Sequence, residues 1–324
     1  MKILMTGATG FIGSHVAEAL LDAGHEVRAT ARVSSNVDRF VHRGVEVLVG
    51  AVSDSSFLRN ACEDMEIVIN LAGRLGGWSV RPEELHLTNV MAVKKLVCAA
   101  EAAGVRQFIH CSTPGVVGMV GVAAEDSHYS PQGCYEHTKQ QAEQFVLSKH
   151  SEGRIAVTVA RPDFVYGPGD LHKLKLFQAI RKRRFFLLSG GRSLLHPTYV
   201  TDVAQGFLLM LDCHAAYGQV FNIAGPRPVT VKELVGCVSR NLKVRSKVSS
   251  IPAPIAWSAA VACEAAAGLL NRQPPISRSQ VAFFSKSHAS DITRARSVLG
   301  YEPRVDMEQG IPTTIDWYRR EGYI

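Results

Sequence analysis

Short apolar runs alternate with stretches of helical spacing along the first two thirds of the chain. Met1 to Thr6 is a near-continuous apolar run, the pattern of a strand buried on both faces. From Ile12 the apolar positions recur through Val16, Ala19 and Leu20, the spacing of one helix face. Asp22 to His25 stops that helix, and Glu26 to Ala31 reads as a second strand. The same alternation predicts strands at Val45 to Val49, Ile67 to Leu71, Val105 to Cys111 and Ile155 to Ala160, with a further core strand at Phe221 to Gly225. Helices are expected at Ser55 to Cys62, from Thr88 to Ala103, around Tyr135, and from Leu171 to Arg184. Strands and helices taking turns in this way build a parallel sheet covered on both sides. From Pro226 to Ile324 the pattern is mostly helical.

The chain has 324 residues, enough for one large domain or one and a half. With 46% hydrophobic and 20% charged residues the composition is that of a soluble globular protein. A net charge of +7 favours anionic ligands such as phosphates but is too diffuse to point to nucleic acid. The seven cysteines include no C-x-x-C pair, and no two histidines stand three or four apart. That argues against a metal site or a disulfide framework, and for reduced thiols in a cytoplasmic setting. The first strand starts at once, so no signal peptide is expected.

Between the first strand and helix stand Gly7, Gly10 and Gly13, spaced G-x-x-G-x-x-G. Glycines let the backbone approach a ligand closely, and a helix N-terminus offers free N–H groups and partial positive charge. Together they suit a diphosphate. In the form TGATGFIGSH the stretch resembles the extended short-chain dehydrogenase/reductase superfamily of NAD(P)-dependent epimerases, dehydratases and 3β-hydroxysteroid dehydrogenases. The resemblance implies an α/β fold, a Rossmann-type doubly wound parallel sheet with a smaller, mostly helical C-terminal substrate domain. On that reading residues 1–162 plus about 196–225 bind the dinucleotide, and about 163–195 plus 226–324 bind substrate. It places Gly7, Gly10, Phe11 and Ile12 at the cofactor.

The end of the second strand chooses the cofactor. An acid there binds a ribose hydroxyl, whereas an arginine accommodates a 2′-phosphate. No acid stands there, and Arg32 is the candidate for the 2′-phosphate, which points to NADP. A merely solvated Arg32 leaves NAD open. Leu71-Ala72-Gly73 resembles the family's L-A-G/A, whose small residues let the backbone pass close to the cofactor. In the stretch Gly50 to Asp54 the family's first acid is Ala51, and Asp54 needs no more than a helix N-cap to explain it. Trp78, in a predicted loop, suits a substrate wall or loop packing equally. Asn89 matches a helix asparagine that supports the family's active site.

Tyr135 and Lys139 stand four apart on a predicted helix and so share a face. Ser112-Thr113-Pro114 resembles the start of the family's S-S/T-x-x-V-Y-G segment, which puts Thr113 at the hydroxyl holding the substrate oxygen and Pro114 beside the substrate. A free phenol, with pKa about 10, is a poor base at neutral pH. The lysine ammonium is expected to lower that value. The tyrosine would then exchange a proton with an alcohol or ketone while hydride passes to or from the nicotinamide. By resemblance Lys139 also bonds the nicotinamide ribose. Arg161 to Gly169 (RPDFVYGPG) resembles R-P-x-x-V-Y-G-P-G, in which Pro162 and Val165 back the nicotinamide. His196 opens the segment that returns the chain to the core and is a candidate substrate contact.

Three functions remain open on sequence. The first is a dehydrogenase or ketone reductase for a hydrophobic, sterol-like or long-chain substrate, suggested by the apolar C-terminal part. The second is a nucleotide-sugar epimerase, dehydratase or reductase, with Arg192, Arg278 or the Arg181 to Arg184 run on the diphosphate. The third, a non-catalytic cofactor-binding scaffold, is opposed by the intact Thr113, Tyr135 and Lys139. The basic run itself reads as a solvated helix end or an anion or membrane site. Pro254 to Leu270 reads as an interior or substrate-lining helix in preference to a membrane-contacting one. The expected partners are a small-molecule substrate and, by resemblance, a second copy packed through the helices carrying Asn89 and Tyr135.

Overall fold

Seven parallel strands form the central sheet of this computed structural model, which describes residues 1–244, 249–270 and 272–324. They are β1 (Lys2–Thr6), β2 (Glu26–Ala31), β3 (Glu46–Val49), β4 (Ile67–Asn70), β5 (Gln107–Cys111), β6 (Ala156–Pro162) and β7 (Val220–Ile223). Their order across the sheet is β3-β2-β1-β4-β5-β6-β7. Ile3, Leu4 and Met5 of β1 are all fully buried, which is why this central strand shows no apolar/polar alternation. The order reverses between β1 and β4, and a crevice opens there at the strands' C-terminal ends.

Helices cover both faces. On one, α1 (Phe11–Asp22) contributes Val16 and Leu20 to a cluster with Ile3 and Met5. On the other, α2 (Ser55–Cys62), α3 (Ala92–Ala102) and α4 (Cys134–Ser151) contribute Leu58, Val97 and Val146 to a cluster with Leu4 and Val68. Asp54 caps α2, its carboxylate accepting from the Ser56 and Phe57 N–H groups at 2.8 and 3.4 Å. The helix expected from Thr88 starts earlier, at Pro82–His86, and reaches α3 through a wider π turn at Leu87–Met91. That turn carries Asn89.

A third cluster belongs to the substrate side. It joins Phe177 of α5 (Leu174–Arg181), Leu234 of α7 (Val231–Asn241) and Ile315 of α11 (Met307–Arg320). Between α1 and this unit runs α6 (Val200–Met210), whose Val203 and Phe207 belong to the sheet core. One expectation is corrected. The segment 292–301, placed by sequence in the substrate domain, packs into the sheet core. Ile292, Ala295 and Leu299, with α10 (Thr293–Leu299), and Tyr301 join the α1 cluster. The Tyr301 hydroxyl donates to the Ala224 carbonyl at 3.0 Å. The apolar helix α8 (Ala253–Leu270) forms; of the two expected alternatives it is not interior, because only Ala256, Ala260 and Ala267 are buried, but it does line the large cleft through Ile255, Ala256 and Trp257. The buried alanines pack on Leu188 and on Val281 of α9 (Arg278–Ser285), or lie along that side.

Candidate active site

The glycine turn lies at the crevice between β1 and β4. Gly7 has φ +75°, and a Cβ there would meet the Leu71–Ala72 backbone at 2.6 Å, so the two loops touch only because residue 7 has no side chain. Gly13 is held in the same way, with no space for a Cβ against the Gly7 carbonyl. No side chain caps α1 at Gly10, so its first N–H groups have no capping partner. Gly7, Gly10, Phe11 and Ile12 line one end of a cleft of about 1530 Å³, joined there by Leu71 and Gly73. A shallow, uncapped, positive helix end of this kind fits a dinucleotide diphosphate. Arg32 follows β2 and is exposed, outside the cleft lining. Its N–H donates to Ser35 Oγ at 3.2 Å, and that hydroxyl lies 3.4 Å from Thr9 Oγ1 in the glycine turn.

The middle of the cleft holds Thr113, Pro114, Tyr135, Lys139, Pro162 and Val165. Thr113 follows β5 and accepts from the Gly115 N–H at 3.2 Å, which fixes its hydroxyl at the start of a short turn. Tyr135 and Lys139 sit on the first turns of α4. Lys139 is 4% exposed, and its ammonium donates to the Cys111 carbonyl at 2.6 Å. Asn89 accepts from the Arg74 N–H at 2.8 Å and donates to its carbonyl at 3.0 Å, and also to Thr138 Oγ1 at 3.0 Å. Thr138 in turn donates to the Tyr135 carbonyl at 2.7 Å. The loop after β4 is thereby tied to the helix that presents the tyrosine.

One electrostatic expectation is reversed. The Tyr135 phenol is held above its ordinary pKa, first by burial, then by Cys111 and Glu136. The Lys139 ammonium, which was expected to lower it, bonds the Cys111 carbonyl and is itself shifted down by burial. The phenol is therefore a proton carrier at neutral pH.

Besides Arg32, three sequence candidates lie elsewhere. Ala72 abuts Gly7 through its backbone but does not line the cleft. Trp78, 46% exposed, lies in the loop outside the lining. His196 is buried and structural. One ring nitrogen lies 2.9 Å from the Gly225 carbonyl, and the other accepts from the Ser290 N–H at 3.3 Å.

The structure adds residues that spacing did not single out. Arg161, 1% exposed, is paired with Glu143, which is fully buried on α4; Arg161 Nε donates to Glu143 Oε2 at 3.2 Å. The Tyr129 hydroxyl donates to Glu143 at 2.8 Å, and Arg161 also donates to the Glu125 carbonyl at 3.1 Å. Glu143 stands four residues after Lys139, on the same buried face, and that spacing was the available signal. Beyond Tyr135 the cleft is aromatic. Phe164 stacks on Phe283 at 5.8 Å, Phe283 meets Phe284 at 5.1 Å, and Phe284 meets Phe185 at 5.4 Å. Of the arginines considered for a diphosphate, Arg192 is exposed off the cleft, and Arg278 is paired with Glu264 at 2.6 Å. Arg184 and the Glu264-paired Arg278 do line it.

Asp163, buried between Pro162 and Phe164, accepts from Ser290 Oγ at 2.7 Å, and burial pushes its pKa up to about 7. A raised carboxyl binds its proton more tightly folded than unfolded, so this group's contribution falls as pH rises from the unfolded value to about 7. Asp163→Asn is expected to remove that slope. Chemical unfolding across pH 4 to 8 would show the variant gaining on the wild type toward pH 8.

The NAD-dependent epimerase/dehydratase family model matches residues 3–224. The chain is 28% identical over 319 residues to a 4-hydroxy-2-methyl-3-oxo-4-farnesyl-3,4-dihydroquinoline-1-oxide ketoreductase of Stigmatella aurantiaca, covering 96% of this chain and 95% of that one. It is 27% identical over 325 residues to a 2-alkyl-3-oxoalkanoate reductase of Stenotrophomonas maltophilia, covering 96% and 97%. The structure of MoeE5 in complex with UDP-glucuronic acid and NAD superposes with a TM-score of 0.77 at 26% identity, covering 99% and 100%. Glycine cradle, tyrosine and lysine in one cleft and full-length similarity agree: the chain belongs to the NAD-dependent epimerase/dehydratase family and is an NAD(P)-dependent enzyme of the extended short-chain dehydrogenase/reductase superfamily.

Proposed function

We propose that this protein is an NADP(H)-dependent ketoreductase acting on a hydrophobic substrate, long-chain or polycyclic. The observation that carries the reading is the aromatic wall of Phe164, Phe283, Phe284 and Phe185, which begins beside Pro162 and runs away from the cofactor end. Such a wall favours an apolar body by removing it from water. The ketoreductase and the reductase relatives, whose names specify farnesyl and alkyl substituents, support the same class.

A nicotinamide cofactor held over Gly7, Gly10, Phe11 and Ile12 would supply the hydride. Thr113 offers its hydroxyl to the substrate carbonyl oxygen. Tyr135, kept protonated by burial, donates its proton to the oxygen that becomes the alcohol. Lys139, anchored on the Cys111 carbonyl in the same cleft, would hold the nicotinamide ribose. Assayed with NADPH and a panel of apolar ketones, the protein should oxidise NADPH. If UDP- or dTDP-sugars raise the melting temperature and no ketone is reduced, the nucleotide-sugar reading replaces this one.

The preference for NADP rests on Arg32. Its place after β2, beside the Ser35 hydroxyl that reaches Thr9, suits a 2′-phosphate. Arg32→Ala is expected to raise the KM for NADPH by roughly tenfold or more and leave that for NADH nearly unchanged. Equal effects on both cofactors would remove the assignment.

A further inference from the structure

Helix α8 presents to solvent a face that a water-facing helix ordinarily fills with charges. Ile255, Trp257, Val261, Leu269 and Leu270 are 61%, 42%, 45%, 89% and 68% exposed. The side packed on the protein is a narrow stripe of alanines, Ala256, Ala260 and Ala267. Glu264, the one acid among its residues, is turned toward α9 and held by Arg278, side chain to side chain at 2.6 Å and through the Arg278 N–H at 2.8 Å. The Ser258 hydroxyl donates back to the Pro254 carbonyl at 3.2 Å, so its donor is already satisfied within the helix. By length and composition α8 could cross a membrane, yet it lies along the surface with its inner stripe docked. An exposed apolar face of this extent marks a contact surface.

The chain's densest run of basic residues sits beside it. Arg181, Lys182, Arg183 and Arg184 end α5 and are all exposed. They lead through Phe185 and the half-exposed Phe186 into Leu187–Leu188, which pair in parallel with Ser250–Ile251, the strand that feeds α8. The Gly190 N–H donates to Ser250 Oγ at 2.8 Å, and the Ala253 N–H donates to Ser189 Oγ at 3.1 Å. These bonds bring the basic run and the start of α8 to one side of the molecule. Arg184, Phe186, Ile255 and Trp257 also line the cleft.

We propose that this side is a docking surface for an anionic lipid bilayer, with α8 lying in the interface, its outer face among the acyl chains and the arginines on lipid phosphates. A bare apolar face alone would suit a second copy of the chain equally well. The charge decides between them. Two copies meeting across α8 would bring two cationic runs together in a protein already at +7, whereas anionic headgroups neutralise them. Because Ile255 and Trp257 belong to both surfaces, docking sets the mouth of the cleft at the bilayer. The surface stands on α8 and the basic run, and does not depend on the substrate proposed above.

Flotation of the full-length protein with vesicles tests it. Vesicles of phosphatidylcholine with added phosphatidylglycerol should carry the protein up, and phosphatidylcholine alone should carry much less. Val261→Glu/Leu269→Glu, outside the cleft lining, should abolish flotation while circular dichroism and melting temperature stay near wild type. Arg181→Glu/Arg183→Glu should weaken binding to anionic vesicles by roughly tenfold, with the loss growing at low salt. Absence of flotation on anionic vesicles overturns the proposal. So does flotation that survives both double substitutions, and so does a self-association that Val261→Glu/Leu269→Glu abolishes while vesicles are ignored. NADPH turnover with a soluble ketone is read in parallel, so that failure of docking and failure of the reductase reading remain separate results.

Discussion

Tyr135→Phe is expected to lower kcat by roughly 10²- to 10⁴-fold while NADPH binding stays within a few-fold of wild type. The substitution removes one oxygen and keeps the ring, so the packing of the α4 N-terminus against Gly76, where an added Cβ would come within 3.3 Å of the Tyr135 Cβ, is retained. What is lost is the phenol hydroxyl that shares the cleft with Thr113. Single-turnover NADPH oxidation measures the chemistry, and quenching of protein fluorescence by NADPH measures binding. Equal loss in both would make Tyr135 a cofactor-binding residue and not the acid. Lys139→Met should behave differently. It removes the ammonium bonded to the Cys111 carbonyl, and should weaken cofactor binding and lower kcat together.

Glu143→Ala should cost about 3–5 kcal/mol of stability, because it leaves the Arg161 guanidinium buried without its carboxylate. The Tyr129 hydroxyl loses its acceptor as well. The damage should reach catalysis, since Glu143 fastens the helix that presents Tyr135 to the strand end that carries Pro162. Replacing both partners with apolar residues, Glu143→Leu with Arg161→Met, should recover much of the stability, as buried ion pairs replaced together are often near neutral. Chemical unfolding of the two single variants and the double variant closes that cycle. If the single variants lose less than about 1 kcal/mol, the pair does not fasten α4.

The legible parts of this molecule were the local ones. The glycine triplet, the four-residue step from Tyr135 to Lys139 and the strand at Met1 to Thr6 depend on neighbours in sequence, and the structure brings them to one cleft. Partnerships across the chain were not legible. Nothing near Arg161 names Glu143, and the aromatic wall draws on Phe164, Phe185 and the Phe283–Phe284 pair, from three separate segments. His196 read as chemistry because a histidine in a motif invites it, yet its nitrogens are taken by Gly225 and Ser290. Helix α8 was legible in part: it lines the cleft, but its outer face is uncovered. Its hydropathy records what it would rather avoid, water, and not whether the fold covers it. The lowering of the tyrosine pKa was argued from spacing alone, and burial outweighs it.

The central claim is a net hydride transfer, next to Tyr135, from a nicotinamide held over Gly7 and Gly10 to a carbonyl carbon of an apolar substrate. It is tested most directly by turnover with NADPH deuterated at the transferring position. The account predicts one deuterium on the new alcohol carbon and one equivalent of NADP⁺ per product. Deuterium absent from the product, or turnover confined to nucleotide sugars with no net cofactor oxidation, would contradict it.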